Sequence, residues 1–341
     1  MTSNYSCKVW DELESNLSAS GKNLRYKDVA RISDNIIFCG IDSSSSRRCL
    51  ILRYPSSGKK YPKLRPSRGF CAELITISES ESGYDNLMIS ISAKEYNDIF
   101  TTFSENLIRC LDKLPENTDV IGSALLHMRK WQDFMEKITD ERLSSNQCKG
   151  LYGELHFLYY TLTPLVGIHA AVEYWYGPGK KQQDFMLPNS IGIEIKTTAS
   201  KSPVHLRIAS EDQLNPAGFS KLYLHHNEIH EVQDREKSLP SLIDRILAAC
   251  SDDDEYITGM EFRRKLLELN YREKDREYYD RIGYHVRNET TYLVSDDFPN
   301  LTDHDLKPGI VDVKYSIDTA VLEKFIVDKG TFHESLKVGF N

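Results

Sequence analysis

Asp184-Phe-Met-Leu-Pro-Asn-Ser-Ile-Gly-Ile-Glu194-Ile-Lys196-Thr-Thr198 is the stretch from which the rest of the chain is read. Pro188, Asn189 and Ser190 are turn residues between two apolar runs, Phe185 to Leu187 and Ile191 to Ile195, and this pattern predicts a tight β-hairpin. In the returning strand a period of two puts Ile191, Ile193 and Ile195 on one face and Gly192, Glu194 and Lys196 on the other. A carboxylate and an ammonium therefore project together from a strand that otherwise reads as buried. Asp184 opens the first strand and can lie opposite the Glu194 to Lys196 end of the second. Two carboxylates held close repel each other unless positive charge sits between them, and a hard divalent cation with oxygen ligands supplies it. Mg²⁺ fits that donor set.

A third acid lies upstream, in Gly150-Leu-Tyr-Gly-Glu154-Leu-His-Phe-Leu158. On a helix Glu154 stands about 40° from Leu158 and about 60° from Leu151. That is inside the apolar stripe made with Leu155 and Leu162, and a carboxylate on a core-facing stripe needs a partner. Gly150 and Gly153 thin this face, so the helix is expected to approach the sheet closely enough for Glu154 to reach the same ion.

These residues resemble the PD-(D/E)XK nuclease superfamily, with Asp184 as the first acid and Glu194-Ile195-Lys196 as the (D/E)XK element. With the Trp175-Tyr-Gly-Pro178 run added, they are most similar to a bacterial PD-(D/E)XK group found near DNA-modification and phage-defence genes. The likeness is strong over residues 150 to 214 and loose in the flanks, and Gln183 stands where the superfamily often has Pro. It implies an α/β fold with a restriction-endonuclease-like core, a mixed central sheet flanked by helices. It also implies a metal-dependent deoxyribonuclease. Asp184, Glu194 and the main-chain carbonyl of Ile195 would bind Mg²⁺, with Mn²⁺ a substitute, and Glu154 would join directly or through water. Lys196 would orient or deprotonate the attacking water. Gln213, three residues after Ser210, has the spacing of a capping box. Some nucleases of the superfamily use a Gln on that following helix near the site, so Gln213 is also an auxiliary candidate. Two other acid-x-Lys triplets compete, Asp305-Leu-Lys307 and Asp312-Val-Lys314.

With 341 residues, 40% hydrophobic and 28% charged, the chain is long enough for two domains. No apolar run approaches the roughly 20 residues of a membrane span, and the N-terminus lacks a secretory h-region. Seven Cys without a CxxC pair read as reduced thiols of a cytoplasmic protein. His226 and His230 would align as metal ligands only on a helix, and their neighbours read as strand. The net charge of −8 argues against a nucleic-acid partner, yet its distribution argues for one. Between Ser44 and Cys71 no acid occurs. Arg47, Arg48, Lys59, Lys60, Lys63, Arg65 and Arg68 there form a candidate DNA-contacting arm or hairpin tip, or else a solvated connection between strands.

The N-terminal region reads as β-rich, with strands at 35–41, 49–54, 70–78 and 86–92. A helix capped by Ser92 to Glu95 and closed by Pro115 follows, then a second over 119–137. The expected domains are 1–115, the β-rich region with its helix, and 116–341, the nuclease-like domain. Downstream the pattern predicts strands at 204–208 and 221–225, the latter beside the hairpin by a crossover. Charged helices over 239–281 are interrupted by the acidic run 251–255. That run reads as a solvated loop and helix N-terminus rather than a metal site, because consecutive acids do not share one direction. Strands at 281–286, 290–294 and 310–317 and a closing helix over 319–329 end the chain. The function expected is a Mg²⁺-dependent DNA endonuclease of restriction-modification or phage defence. Alternatives are a structure-specific repair or junction nuclease and a silent DNA-binding scaffold subunit. The partners expected are DNA and either a second copy or a multi-protein defence complex, with no membrane.

Overall fold

A computed structural model describes residues 7–15, 24–59, 61, 69–77, 83–135, 141–177, 183–199, 204–250, 256–310 and 312–337. The chain divides into two compact units, 1–140 and 141–341. The division falls after the second long helix of the first unit, downstream of the expected limit at 115. The reason is aromatic packing inside that unit: Trp131 of this helix stands edge-on to Phe103 of the preceding one at 5.7 Å.

The first unit is an antiparallel sheet with helices. Helix α1 (Cys7–Ser15) precedes strands β1 (Leu24–Ile32), β2 (Asn35–Asp42), β3 (Arg47–Pro55), β4 (Phe70–Ile75) and β5 (Tyr84–Ile91), and α2 (Asn97–Asp112) and α3 (Val120–Met135) follow. The strand order is β1-β2-β3-β5-β4. The β3–β4 connection, which carries the basic stretch, is therefore not a hairpin tip, because β5 lies between its two strands. Neither β1 nor α1 was expected from the sequence. Edge strand β1 keeps four of its nine residues exposed, which dilutes the apolar alternation that marks buried strands. Short α1 is anchored by Trp10, buried, whose Nε1 donates to the Gly40 carbonyl at 3.1 Å. The expected capping box at Ser92 does not form. A 3₁₀ turn over Lys94–Tyr96, with no side-chain cap, leads into α2 instead.

The second unit begins with α4 (Ser145–His156), started by a capping box between Ser144 and Gln147. A π-helical turn (Phe157–Leu162) and the short helices α5 (Thr163–Val166) and α6 (Ile168–Tyr174) continue it. Strands β6 (Phe185–Leu187), β7 (Ile191–Thr198), β8 (His205–Ile208) and β9 (Lys221–Val232) come next. After α7 (Leu239–Ala249), α8 (Tyr256–Glu268) and α9 (Arg276–Tyr279) the chain forms β10 (Gly283–Leu293), β11 (Tyr315–Asp318), β12 (Ile326–Val327) and α10 (Lys329–Lys337). The sheet order is β12-β10-β9-β7-β6. Strands β7 and β9 run parallel and the remaining pairs antiparallel. The expected mixed central sheet with flanking helices is thus present, and so is the crossover that brings β9 beside the hairpin.

The period of two splits this sheet between two cores. Ile191, Ile193, Ile195 and Tyr223 join the cluster built with α4, α6, α7 and α10. Leu222 and Leu224 join the one containing Leu206, Ile208, Leu214 and Phe325. Several expected elements shift. Strand β8 pairs with β11 in a separate two-stranded sheet rather than with the main one. The two strands expected at 281–294 are one, β10, with an irregularity between Val286 and Asn288. The stretch before Tyr315 lies outside β11, and a 3₁₀ helix (Thr319–Phe325) followed by β12 replaces the closing helix. The acidic run 251–255 lies outside the described residues.

Candidate active site

The hairpin forms as the turn residues predict. Pro188–Ser190 make a 3₁₀ turn, with Asn189 (φ 60°) and Ser190 (φ 58°) in the left-handed region. Strand β6 is only three residues long and pairs Phe185 to Ile193 and Leu187 to Ile191. From Glu194 onward, no strand among the described residues pairs with the edge of β7 that faces β6. Asp184 covers that edge with its side chain, Oδ2 accepting from Ile195 N–H at 2.8 Å. In an extended strand the carbonyl of Ile195 points off the same edge as its N–H.

Glu194 and Lys196 share the face of Gly192, where an added Cβ would meet the Phe219 ring at 2.8 Å. Glu154 comes from α4, on the other face. The acids therefore converge round the bare edge from both sides of the sheet. Gly153 makes this possible: a Cβ there would lie 1.9 Å from Thr197 Oγ1, whereas Gly150 has open space. Only the second of the two glycines thins the helix face. Asn227 of β9 adds a bond from Nδ2 to the Gly153 carbonyl at 3.3 Å.

All three carboxylates are buried. Burial and then the Asp184 charge push Glu194 up to about 8, against the pull of Lys196. Asp184 rises to about 6 through burial, opposed by the Ile195 N–H and Lys196. Glu154 is raised well above the carboxylate range by burial first and then by Asp184, with Glu194 adding to it. Lys196 Nζ is 2.7 Å from Glu194 Oε1 and 2.9 Å from Gln213 Oε1. Gln213 thus meets the lysine. Its oxygen also accepts from Ala209 N–H at 2.7 Å, and the single 3₁₀ turn that carries it (Glu211–Leu214) has no side-chain cap at Ser210.

Three further contacts escaped the sequence. Trp175 Nε1 donates to Glu154 Oε2 at 2.9 Å. Lys265 Nζ donates to the carbonyls of Val172, at 2.7 Å, and Trp175, closing the C-terminal end of α6. Gln183 Nε2 reaches the carbonyls of Asp212 and Gln213 at 3.4 and 3.5 Å, so the residue in the superfamily's Pro position tethers the Gln213 turn. The competing triplets are not assembled: Asp305, Lys307, Asp312 and Lys314 are exposed. His226 lies in a strand, bonded through Nε2 to Thr198 Oγ1 at 2.8 Å, and burial lowers it to about 4.

Glu194 Oε2 is buried and makes no hydrogen bond. An orphaned carboxylate oxygen beside a second buried carboxylate is a fit for a cation. Among the described residues no three His, Cys, Asp or Glu side chains draw together to ion-holding spacing. A cation held here would draw on two carboxylates with main-chain or water oxygens, an all-oxygen set of the kind hard divalent cations take.

The basic residues of the first unit are mostly engaged. Arg48 bonds Glu14 at 2.8 Å and Thr101 at 2.5 Å and lies over the Trp10 ring. Its side chain is 13% exposed, so it serves the packing of its own unit. Arg47 pairs with Asp42 at 3.3 Å, and Lys59 with Asp119 at 2.6 Å. Lys60, Lys63, Arg65 and Arg68 lie outside the described residues.

An acid at the mouth of a hairpin, an acid-x-lysine strand and a helix-borne glutamate on a mixed α/β sheet define the PD-(D/E)XK class. The family described as "Putative PD-(D/E)XK family member, (DUF4420)" matches residues 7–320. The chain belongs to that family, and the match spans both units. No curated protein and no solved structure matches the chain. No helix among the described residues is long and apolar enough to cross a membrane.

Proposed function

We propose that the chain is a Mg²⁺-dependent DNA endonuclease, a phosphodiester hydrolase of restriction-modification or phage defence, the defence setting resting on the resemblance of residues 150 to 214. The observation that carries the reading is the orphaned, buried Glu194 oxygen beside Asp184 and Lys196 at a bare strand edge. Asp184, Glu194 and the Ile195 carbonyl would hold the ion, with Mn²⁺ a substitute, and Glu154 would reach it directly or through water. When bound, a divalent cation draws charge from the scissile phosphate and lowers the pKa of a coordinated water. Lys196, gripped between Glu194 and Gln213, donates hydrogen bonds that orient the attacking water and offset charge gathering on the phosphate. Trp175 fixes the Glu154 carboxylate, and Gln183 fixes the turn that carries Gln213. Arg47, Lys59, Lys60, Lys63, Arg65 and Arg68 would meet the DNA backbone, and Arg48 is withdrawn from that set.

The test is supercoiled plasmid incubated with the full chain in Mg²⁺ or EDTA. Mg²⁺-dependent nicking or linearisation, abolished by Asp184→Asn and by Lys196→Ala while DNA binding persists, supports the reading. Cutting confined to branched substrates would make the chain a junction nuclease instead. Binding by the wild type without any cutting would make it a silent scaffold subunit.

A further inference from the structure

The Trp175-Tyr176-Gly177 segment leaves α6 extended, with Trp175 at φ −80° and ψ 114°, and it touches two of the candidate acid residues at once. Trp175 Nε1 donates to Glu154 Oε2 at 2.9 Å. The next N–H, of Tyr176, donates to the Asp184 carbonyl at 2.8 Å, and Gly177 N–H reaches the same oxygen at 3.4 Å. Trp175 also makes an antiparallel bridge to Phe185, the neighbour of Asp184. The segment is thus a strap between the helix-borne acid and the acid at the hairpin mouth. Trp175 is fully buried, and a buried indole N–H needs an acceptor, so ring and carboxylate hold each other.

One face of α8 grips the strap. Phe262, Lys265 and Leu269, just past the helix end, follow at spacings of three and four, which puts them on one side. The Phe262 ring lies 5.6 Å from the Trp175 ring between centroids. The Leu269 methyl groups would stand 3.5 Å from a Cβ on Gly177, which takes the left-handed φ of 64°. Lys265 Nζ donates to the carbonyls of Val172 at 2.7 Å, Glu173 at 3.3 Å and Trp175, and stands 5.6 Å from the centre of the Tyr176 ring. An ammonium has three donors, matching three main-chain oxygens at a helix end, where carbonyls lack partners and a cation offsets the dipole.

A short helix can end on water. Ending α6 on a fixed ammonium sets the direction in which the chain leaves it, and that direction decides whether the indole reaches Glu154 and whether Tyr176 N–H reaches Asp184. Without the ammonium the Trp175 carbonyl loses its anchor, and the indole N–H loses its aim. Carboxylates that hold an ion are oriented by hydrogen bonds from residues behind them, and Trp175 Nε1 stands in that place behind Glu154.

We propose that Lys265 and Trp175 are positioning residues of the candidate active site: Lys265 pins the strap, and the strap aims the Glu154 carboxylate and so tunes the affinity of the site for its cation. Neither side chain meets the ion. The second step rests on the nuclease reading, whereas the first, from Lys265 to the indole, is readable without metal.

The test uses the full chain with ¹⁵N-labelled tryptophan, whose three Trp give three indole signals; Trp175→Phe identifies its own by removing it. In EDTA, Lys265→Met is expected to move that signal and leave the other two in place. Calorimetry with Mg²⁺ and with Mn²⁺ should show binding about 10- to 100-fold weaker in Lys265→Met and in Trp175→Phe. Adding Trp175→Phe to Glu154→Gln should cost nothing further, since the indole acts through that carboxylate. Plasmid cutting should need correspondingly more Mg²⁺ at an unchanged KM for DNA. Should Lys265→Met fail to fold, Lys265→Gln, which keeps two donors on a shorter stem, serves in its place. An unmoved indole signal in the Lys265 variant would overturn the pin. Full cation affinity in Trp175→Phe, or a loss that adds to that of Glu154→Gln, would overturn the aiming of Glu154. A wild type that binds neither ion, while its indole signal still answers to Lys265, would sink the nuclease reading and the affinity claim with it but leave the pin standing.

Discussion

At the scale of the residue, the candidate active site is a stored conflict. Glu194 and Asp184 titrate higher in the folded chain than in the unfolded one, to about 8 and about 6, chiefly because burial disfavours their charged forms. The stability linked to each carboxyl is therefore complete below its unfolded pKa and is lost as the pH climbs through its folded value. In EDTA, Tm of the wild type is expected to fall between about pH 5 and 8.5 more steeply than that of Glu194→Gln. Mg²⁺ should restore the wild type most at the alkaline end, where both carboxylates are ionised. Thermal melts across that range check this, and parallel curves for the two proteins would mean that Glu194 is not the strained group. The motif residues were legible because turn chemistry and a period of two are local signals. The bond from Trp175 to Glu154 was not, since no spacing rule links positions 21 apart, and only the fold, which sets α6 against the π-helical turn that continues α4, brings them together.

At the scale of the element, α4 is held by what Gly153 lacks. Gly153→Ala would drive a methyl into Thr197 Oγ1, 1.9 Å away, with Asn227 Nδ2 only 3.2 Å off. The expected loss is about 1–3 kcal/mol, and cleavage should fall with it as Glu154 is displaced. Thr197→Ala in the same chain should return part of both, which denaturant melts and plasmid assays would show; no rescue would mean that the contact does not set the helix position. The apolar stripe of α4 was readable, but which glycine mattered was not, because periodicity says nothing about depth of approach. The capping boxes at Ser92 and Ser210 failed for a related reason. Capping chemistry marks where a helix could start, while tertiary packing decides whether a full helix or a single 3₁₀ turn follows.

At the scale of the whole molecule, an acidic chain is asked to hold a polyanion, so its lysines and arginines must act by placement rather than by number. If the β3–β4 connection meets DNA, Lys63→Ala/Arg65→Ala/Arg68→Ala should flatten the slope of log K against log salt by about 2 to 3. Arg48→Ala should lower Tm and leave the slope alone, since Arg48 is bound to Glu14 and Thr101. An unchanged slope in the triple variant would remove the connection from DNA recognition. The three-residue length of β6 carries a last consequence for the chain as a whole. One more rung of pairing would consume the main-chain groups of Ile195 and displace Asp184, giving a sturdier sheet with nothing left to grip an ion. Selection for thermal robustness and selection for catalysis would thus pull the same strand in opposite directions, and screens for hardier variants should find inactive ones that have lengthened it.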